Sequence, residues 1–413
     1  MYTVDELFTY SEQIEELTQN LGFNCYPQHF ELVDYEDMIC YATYSGMPSH
    51  YPHWSLGKIY EKLKTLYNYN LSGIPYEMVI NSNPCIAYLI KDNSLTMQIL
   101  TMAHVYGHND FFANNQYFTQ NTDASLSISM FKNHTKRIRS YIYAPSIGYE
   151  KVEKFLDAVH SIKYQCTLNQ SEKDLPIFLR NWANLEEWQK DILDIVIKQN
   201  VYFLPQIETK IINEGWASFW HYYILNNLNL TMDKMFEFFK IHNNIVRPTI
   251  NLNPYFLGYK IWRDVYINCD GNIEQMLAIR EIHKDSSFIR NYLSYEVCDS
   301  ANLYSYKNQD RNYVIGDVSN KNNWQIIREQ LANNVGINAV PHIEVIDFTK
   351  DTLNLYHAWD NKELDLLYTT ETLKHIQTIW GGKITLKTQF SGIKRKIVCD
   401  SDKKVFIQNE EYS

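Results

Sequence analysis

Residues 94–112 read SLTMQILTMAHVYGHNDFF, a stretch in which apolar residues recur at helical spacing with few charges between them. That pattern predicts a helix buried in a mostly helical body. Two histidines within it, His104 and His108, lie about 40° apart around such a helix and one turn apart along it. Both imidazoles can therefore reach one ion, which is the spacing that zinc hydrolases use. The alternative is a chance pair, because the chain has 13 histidines.

A second stretch, residues 213–221, reads NEGWASFWH and places Glu214 among apolar and aromatic neighbours. A carboxylate there is costly to bury alone, so it needs a cation, a metal or strong hydrogen-bond donors. We therefore take Glu214 as the third candidate ligand. His221 ranks behind it, because it lies two turns further on, about 10 Å along the axis. The competing interpretation of Glu214 is a salt bridge to Lys210, one turn earlier.

These two stretches resemble zinc metallopeptidases of the gluzincin type, in which two histidines on one helix and a glutamate on a later helix bind the metal. The fold expected from this resemblance has gluzincin-like metal-site helices. One departure matters for catalysis: Val105 stands where those enzymes place the glutamate that acts as general base. Asp110 is a substitute for that base, although it points away from the histidine face. Ordinary peptidase chemistry is therefore in doubt even if zinc binds.

Two further residues are candidates for side chains that support the metal ligands without binding the ion. His53 lies in the loop 49–55, SHYPHWS, whose prolines are rigid enough to hold an imidazole over a helical site. A surface position is the alternative for His53. Asn213, beside Glu214, has an amide that can support a ligand. The segment 285–292 has polar groups suited to helix capping, and we assign it a structural role.

The remaining pattern predicts an α+β protein with two parts. Residues 1–311 form a mainly helical body, with helices at 4–21, 58–67, 94–112, 123–142, 149–164, 184–228, 231–242, 255–267 and 273–283. Pro205 should break or kink the helix that begins at 184, so that a second one starts near 207. Residues 312–413 form a small α+β domain, with strands at 340–348, 353–359 and 383–387, helices at 324–334 and 370–380, and a tight turn at 349–352.

Composition narrows the class of protein. The net charge is −10 over 413 residues, which argues against nonspecific nucleic-acid binding. The seven cysteines form no CxxC pair and fit free thiols in a reducing compartment. The first residues lack the features of a signal peptide, and no apolar run is long enough to span a bilayer. We therefore expect a soluble cytoplasmic protein.

Several segments together resemble the stage V sporulation protein R (SpoVR) family. They occur in order along most of the chain: 51–58 (YPHWSLGK), 79–85 (VINSNPC), 102–108 (MAHVYGH), 209–221 (TKIINEGWASFWH), 252–258, 285–293 and 372–381. The family's namesake is tied to formation of the spore cortex. Members often occur with a serine protein kinase and a von Willebrand-type companion protein, so the resemblance implies protein partners and a stress or developmental pathway.

Two functions follow from these observations. The first, which the missing glutamate at position 105 favours, is a regulator or scaffold in which a divalent metal holds helices together. The alternative is a zinc-dependent hydrolase that acts on a peptide or a peptidoglycan-related substrate. In both, the expected metal ligands are His104, His108 and Glu214, with His221 as a fourth.

Overall fold

The structure is a computed structural model that describes residues 2–69, 77–249, 251–309, 312–360, 362–390 and 392–409. Its contacts divide the chain into two compact units, each built from separate stretches of sequence. The first unit comprises residues 1–48, 55–129 and 205–336, and the second comprises residues 49–54, 130–204 and 337–413. The units do not divide at the predicted boundary, because residues 312–336 belong to the first unit and residues 130–204 to the second.

The described residues form mostly helix, and the predicted α+β class with a mainly helical body is confirmed. The helices are α1 (Val4–Asn20), α2 (Tyr35–Thr43), α3 (Trp54–Asn68), α4 (Leu95–Asn114), α5 (Gln116–Asn121), α6 (Ser127–Tyr143), α7 (Tyr149–Ile162), α8 (Leu175–Trp182), α9 (Glu187–Glu208), α10 (Lys210–Asn227), α11 (Met232–Ile245), α12 (Pro254–Asn268), α13 (Ile273–Ile282), α14 (Asp285–Tyr292), α15 (Tyr295–Ser300), α16 (Trp324–Ala332) and α17 (Leu366–Trp380). Within these residues no helix combines the length and the apolar character that crossing a membrane requires.

The strands form three small sheets. They are β1 (Gln28–Val33), β2 (Met78–Ile80), β3 (Cys85–Ile90), β4 (Tyr304–Gln309), β5 (Asn312–Val318), β6 (Ile343–Phe348), β7 (Thr352–His357), β8 (Lys383–Phe390), β9 (Ile393–Cys399) and β10 (Val405–Asn409). In the first unit β3 lies between β1, which is parallel to it, and β2, which is antiparallel; β4 and β5 form a separate antiparallel pair. The second unit has a five-stranded sheet in the order β10-β9-β8-β7-β6.

The second unit follows simple rules of chain connection. The turn predicted at 349–352 joins β6 to β7, with Thr349 N donating to Thr352 O at 2.8 Å. Strands β7 and β8 are parallel, so their connection must cross over, and α17 provides that crossover. Leu373 and Ile376 of α17 belong to one apolar core with Leu355 and Leu386 of the sheet.

Helix α4 lies in the core of the first unit, as the opening stretch predicted. Ser94 caps it, because its Oγ accepts a hydrogen bond from the backbone N–H of Met97 at 3.2 Å. Most of its residues are buried, polar ones included. Because the helix is surrounded on all sides, its buried polar side chains must find partners inside the protein.

Small residues allow α10 to approach both α4 and α12 closely. A Cβ built on Gly107 would lie 2.7 Å from the Cα of Ala217. A Cβ on Gly215 would lie 2.3 Å from the carbonyl carbon of Gly258. No larger residue fits at either position without movement of the backbone, so these glycines set the distance between the helices.

The predicted division into two helices is present, but it falls four residues after Pro205. Helix α9 continues through it and ends at Glu208, and α10 begins after Thr209. Proline removes one backbone donor but does not stop a helix whose remaining residues are well packed. The Oγ1 of Thr209 donates to the carbonyl of Pro205 at 2.7 Å, which satisfies one acceptor where the helix ends.

We predict that Gly215→Ala destabilises the protein by about 1–3 kcal/mol or more, because the added methyl meets backbone that cannot rotate away. The free energy of unfolding in urea measures the effect. Gly57→Ala is the matched control, since a Cβ there meets nothing within 4 Å and alanine is the better helix former within α3. Equal stability of the two variants would contradict the close packing of α10 against α12.

Candidate metal centre

Helix α4 presents two imidazoles to one point in the core of the first unit. His104 is fully buried and His108 is 4 % exposed, and their ring centroids are 4.7 Å apart. Gly107 lies in the single turn between the two histidines and faces Ala217 of α10. Because Gly107 has no side chain, α10 can come close to both imidazole rings. The predicted common face of the two histidines is therefore present.

Helix α10 brings Glu214 to the same point. Its first turn is held by Asp285, whose two carboxylate oxygens accept hydrogen bonds from the backbone N–H groups of Ile211 and Ile212 at 2.9 and 2.8 Å. A carboxylate at a helix N-terminus accepts hydrogen bonds from otherwise unpaired backbone N–H groups, and its negative charge interacts favourably with the helix dipole. Asp285, in the segment expected to cap a helix, thus caps α10. This cap holds the first turn of α10 and so positions Glu214. Lys210, proposed above as an alternative partner of Glu214, forms no salt bridge with it, whereas Glu214 Oε2 lies 3.7 Å from His104 Nε2 and 3.4 Å from His108 Nε2.

Glu77 is the residue that sequence analysis missed. It lies immediately before β2 and is 8 % exposed. Its only sequence signal is an acidic residue at the edge of an apolar segment, and that signal is common on protein surfaces. Its place beside the histidines depends on the pairing of β2 with β3, which no local pattern near Glu77 reveals.

Four distances define the cluster formed by Glu77, His104, His108 and Glu214. His104 Nε2 lies 3.1 Å from Glu77 Oε1 and 3.7 Å from Glu214 Oε2. His108 Nε2 lies 3.7 Å from Glu77 Oε1 and 3.4 Å from Glu214 Oε2. Ligands of a tetrahedral zinc ion with bonds near 2.0–2.1 Å are about 3.3 Å from one another. The four imidazole–carboxylate distances, 3.1 to 3.7 Å, bracket that spacing and so fit one small cation.

The donor set fits a divalent metal as well. All four ligand atoms lie within 4.8 Å of one another, and the group is one that can hold a metal ion. Glu77 Oε2 and Glu214 Oε2 are buried and meet no hydrogen-bond donor with suitable geometry among the described residues. A buried carboxylate oxygen without a donor is costly, and a cation removes that cost.

The electrostatics without a metal are those of a compact ion cluster. Burial opposes the charged form of His108, but the two carboxylates beside it, Glu214 and Glu77, outweigh that effect and raise the pKa of His108 to about 10. Burial likewise opposes the charged form of Glu214, yet His104 and His108 lower its pKa to about 2. A metal ion must therefore displace the proton from His108, and metal binding is linked to proton release.

Asn213 supports His108 from behind. Its Oδ1 lies 2.9 Å from His108 Nδ1, so the ring donates its Nδ1 proton to the amide oxygen. With the proton held there, the Nε2 lone pair of a neutral His108 faces the other three ligand atoms. A hydrogen bond of this kind orients metal-binding histidines in many proteins. The contact places Asn213 beside His108, and its role in supporting a metal ligand stays a prediction.

His221 is placed differently from the prediction that made it a fourth ligand. Its Nδ1 lies 2.8 Å from His104 Nδ1, on the side of that ring away from the cluster. Its Nε2 lies 2.7 Å from His242 Nδ1, so both of its nitrogens are engaged. Burial lowers the pKa of His221 well below the usual range and that of His242 to about 4. The two-turn offset from Glu214 explains why His221 reaches behind His104 and not the ion.

Asp110 does not replace the missing general base. Its Oδ2 lies 3.1 Å from Arg280 Nε and accepts a hydrogen bond from Trp216 Nε1 at 3.1 Å. Its Oδ1 accepts the backbone N–H of Asn24 at 3.1 Å. As its helical position indicated, the side chain leaves α4 on another face, and there it joins α4, α10 and α13.

His53 belongs to the second unit. Its Nε2 lies 3.2 Å from Asp157 Oδ1, and its ring lies 4.7 Å from the ring of His160. The position predicted for His53 behind the metal ligands stays a prediction.

Comparison with known proteins places this site in a family context. The family described as "SpoVR like protein" matches residues 1–172 and 163–340, which include all four residues of the cluster. The chain belongs to the SpoVR family. The resemblance inferred from the sequence segments, which occur in order along the chain, is confirmed.

A curated relative extends the similarity to almost the whole chain. The "Uncharacterized protein YcgB" of Escherichia coli (strain K12) is 32% identical over 477 aligned positions, covering 94% of this chain and 92% of that protein. No solved structure matches.

The raised pKa of His108 predicts how the stability of metal-free protein depends on pH. Stabilisation by His108 is complete below its unfolded pKa near 6.5 and is lost as the pH rises through about 10. Between those values the free energy of unfolding should fall by up to about 1.4 kcal/mol per pH unit relative to His108→Gln. Urea unfolding of both chelator-treated proteins at pH 7, 8 and 9 measures the difference. Parallel curves for the two proteins would show that His108 is not charged in the metal-free fold.

Proposed function

We propose that this SpoVR-family protein is a regulator or scaffold whose first unit is held together by one divalent metal ion, with zinc as the expected ion. The observation that carries the proposal is the convergence of Glu77, His104, His108 and Glu214 at mutual distances suited to one ion. Two imidazole nitrogens and two carboxylate oxygens are a ligand set that favours zinc over the larger, oxygen-preferring cations.

The number of protein ligands supports a structural role over a catalytic one. A zinc ion with four protein ligands has no open position, whereas catalytic zinc keeps one position for water or substrate. Glu77 Oε1 lies as close to the two imidazoles as Glu214 Oε2 does, so the two carboxylates are equivalent as ligands. Such an ion joins β2, α4 and α10, three elements that are remote from one another in sequence.

Membership of the family supports a proposal for the biological role. The namesake's link to the spore cortex supports a part in cortex formation or in a related stress response. We propose that the protein acts through protein partners, among which a serine protein kinase and a von Willebrand-type companion are the first to test. The metal would then keep the first unit in the shape that a partner recognises.

Metal analysis of the purified protein tests this proposal. We expect one zinc per chain, and an affinity lowered more than about 100-fold by His104→Ala, His108→Ala or Glu214→Gln, since second-shell changes alone cost about 10–100-fold. The same variants should lower the thermal stability of the zinc-loaded protein.

The controls are His342→Ala and Glu187→Gln, which remove the same side-chain types at sites that are 54% and 91% exposed. Both should bind zinc as the unaltered protein does. A purified protein that carries no divalent metal and takes up none would end the proposal.

A zinc hydrolase that acts on a peptide or peptidoglycan-related substrate is the second candidate, because Glu77 offers a carboxylate that could serve as the general base instead of as a ligand. Val105 removes the expected general base, but the fold supplies another carboxylate 3.1 Å from His104 Nε2. In this alternative only His104, His108 and Glu214 bind the ion, and Glu77 accepts a proton from the attacking water.

Glu77→Gln distinguishes the two candidates. If Glu77 is a ligand, the substitution should weaken zinc binding about as much as Glu214→Gln, and no hydrolysis should be seen in either protein. If Glu77 is a base, the variant should keep its zinc while losing hydrolysis of peptide or muropeptide substrates by about 100-fold or more. Competition with a chromophoric chelator measures the first quantity, and chromatography of incubated substrates measures the second.

A further inference from the structure

Three buried imidazoles lie in a row behind the metal centre, one each on α4, α10 and α11. His104 Nδ1 is 2.8 Å from His221 Nδ1, and His221 Nε2 is 2.7 Å from His242 Nδ1. The exposed fractions of the three residues are 0, 0 and 2 %. The row continues the first unit's metal site to a third helix, and neither nitrogen of His221 is left for an ion.

The hydrogen bonds in this row have only one direction once His104 binds an ion. Each short N···N contact holds one proton, because one nitrogen must donate and the other must accept. An ion on His104 Nε2 leaves the only ring proton of His104 on Nδ1, so His104 donates to His221 Nδ1. His221 must then carry its proton on Nε2 and donate it to His242 Nδ1.

The far end of the row is fixed by aromatic packing. The ring of His242 lies 4.7 Å from that of Tyr222, 4.9 Å from that of Tyr259 and 6.0 Å from that of Phe238. These contacts hold the His242 ring with Nδ1 towards His221. The acceptor that ends the row is therefore held in place before any ion arrives.

We propose that His221 and His242 are positioning residues which hold His104 in the tautomer and orientation that bind the metal. This proposal rests on the metal site of the proposed function and adds two residues to it, neither of which is a ligand. Its physical basis is the pair of one-proton contacts together with the caged acceptor at their end.

The neighbouring ligand provides an internal comparison. His108 Nδ1 has an amide oxygen, Asn213 Oδ1, as its acceptor, and that acceptor cannot change its role. His104 has an imidazole instead, which accepts only while its own proton lies on Nε2. His221 can therefore accept a hydrogen bond from His104 only while His242 accepts one from His221. Asn213 accepts from His108 without depending on another residue. Loss of the acceptor at position 242 should therefore weaken zinc binding by His104, with His221 passing on the effect.

His242→Phe and His242→Asn test whether zinc binding by His104 depends on the acceptor at position 242. Phenylalanine fills the aromatic cage but accepts no hydrogen bond, so the Nε2 proton of His221 loses its partner and the other tautomer becomes favoured. Asparagine keeps an acceptor oxygen near the position of Nδ1. We expect zinc affinity about 10–100-fold weaker in the phenylalanine variant and within about threefold of the unaltered protein in the asparagine variant.

Nitrogen-15 NMR of the histidine rings gives a readout that a merely structural role would not move. In the zinc-loaded unaltered protein, His104 should carry its proton on Nδ1, and His221 on Nε2. A proton on Nδ1 of His221 in that spectrum would overturn the proposal without any variant, which covers the case in which His242→Phe does not fold.

Unchanged zinc affinity in a folded His242→Phe protein would also overturn it, while leaving the proposed metal site intact. Failure of the unaltered protein to bind zinc would instead remove the proposed function on which this inference depends. The two failures are therefore separate.

Discussion

One buried and one partly buried carboxylate beside two buried imidazoles are the constraint on which the rest of the first unit depends. Glu77 and Glu214 each place an oxygen where no described residue donates a hydrogen bond to it. Negative charge in such a place is stable only beside a positive one, whether a metal ion or a proton on an imidazole. The fold brings the four groups together from two helices and the residue that precedes strand β2, so neutralising them also fastens those parts of the chain to one another.

Helix α10 has the largest part in this arrangement. It supplies Glu214 to the cluster, and Asn213 and His221 to the two histidines of α4. Asp285 holds its first turn, and glycine contacts bring it close to α4 on one side and α12 on the other. A change that moves α10 therefore alters a ligand and both supporting hydrogen bonds together.

The centre resembles a hydrolytic zinc site and differs from it in a way that has chemical consequences. Two histidines one helical turn apart and a glutamate from a later helix are shared features. The second carboxylate comes from the sheet, through Glu77, and not from the helix position that Val105 occupies. At its observed distance from both imidazoles, its carboxylate is placed to bind the proposed ion as that of Glu214 is, which favours a closed site over one that activates water.

The sequence alone determined what depends on local spacing and on ordered motifs. The helical period of residues 94–112 indicated α4 and its histidine pair, the segment around Glu214 indicated a buried carboxylate, and the order of motifs indicated the family. Tertiary structure alone decided which groups meet. It added Glu77 to the cluster, placed His221 against His104 Nδ1 outside the cluster, and paired Asp110 with Arg280. The reason is physical: periodicity states which face of an element is buried, whereas a metal site needs distances between elements that are far apart in the chain.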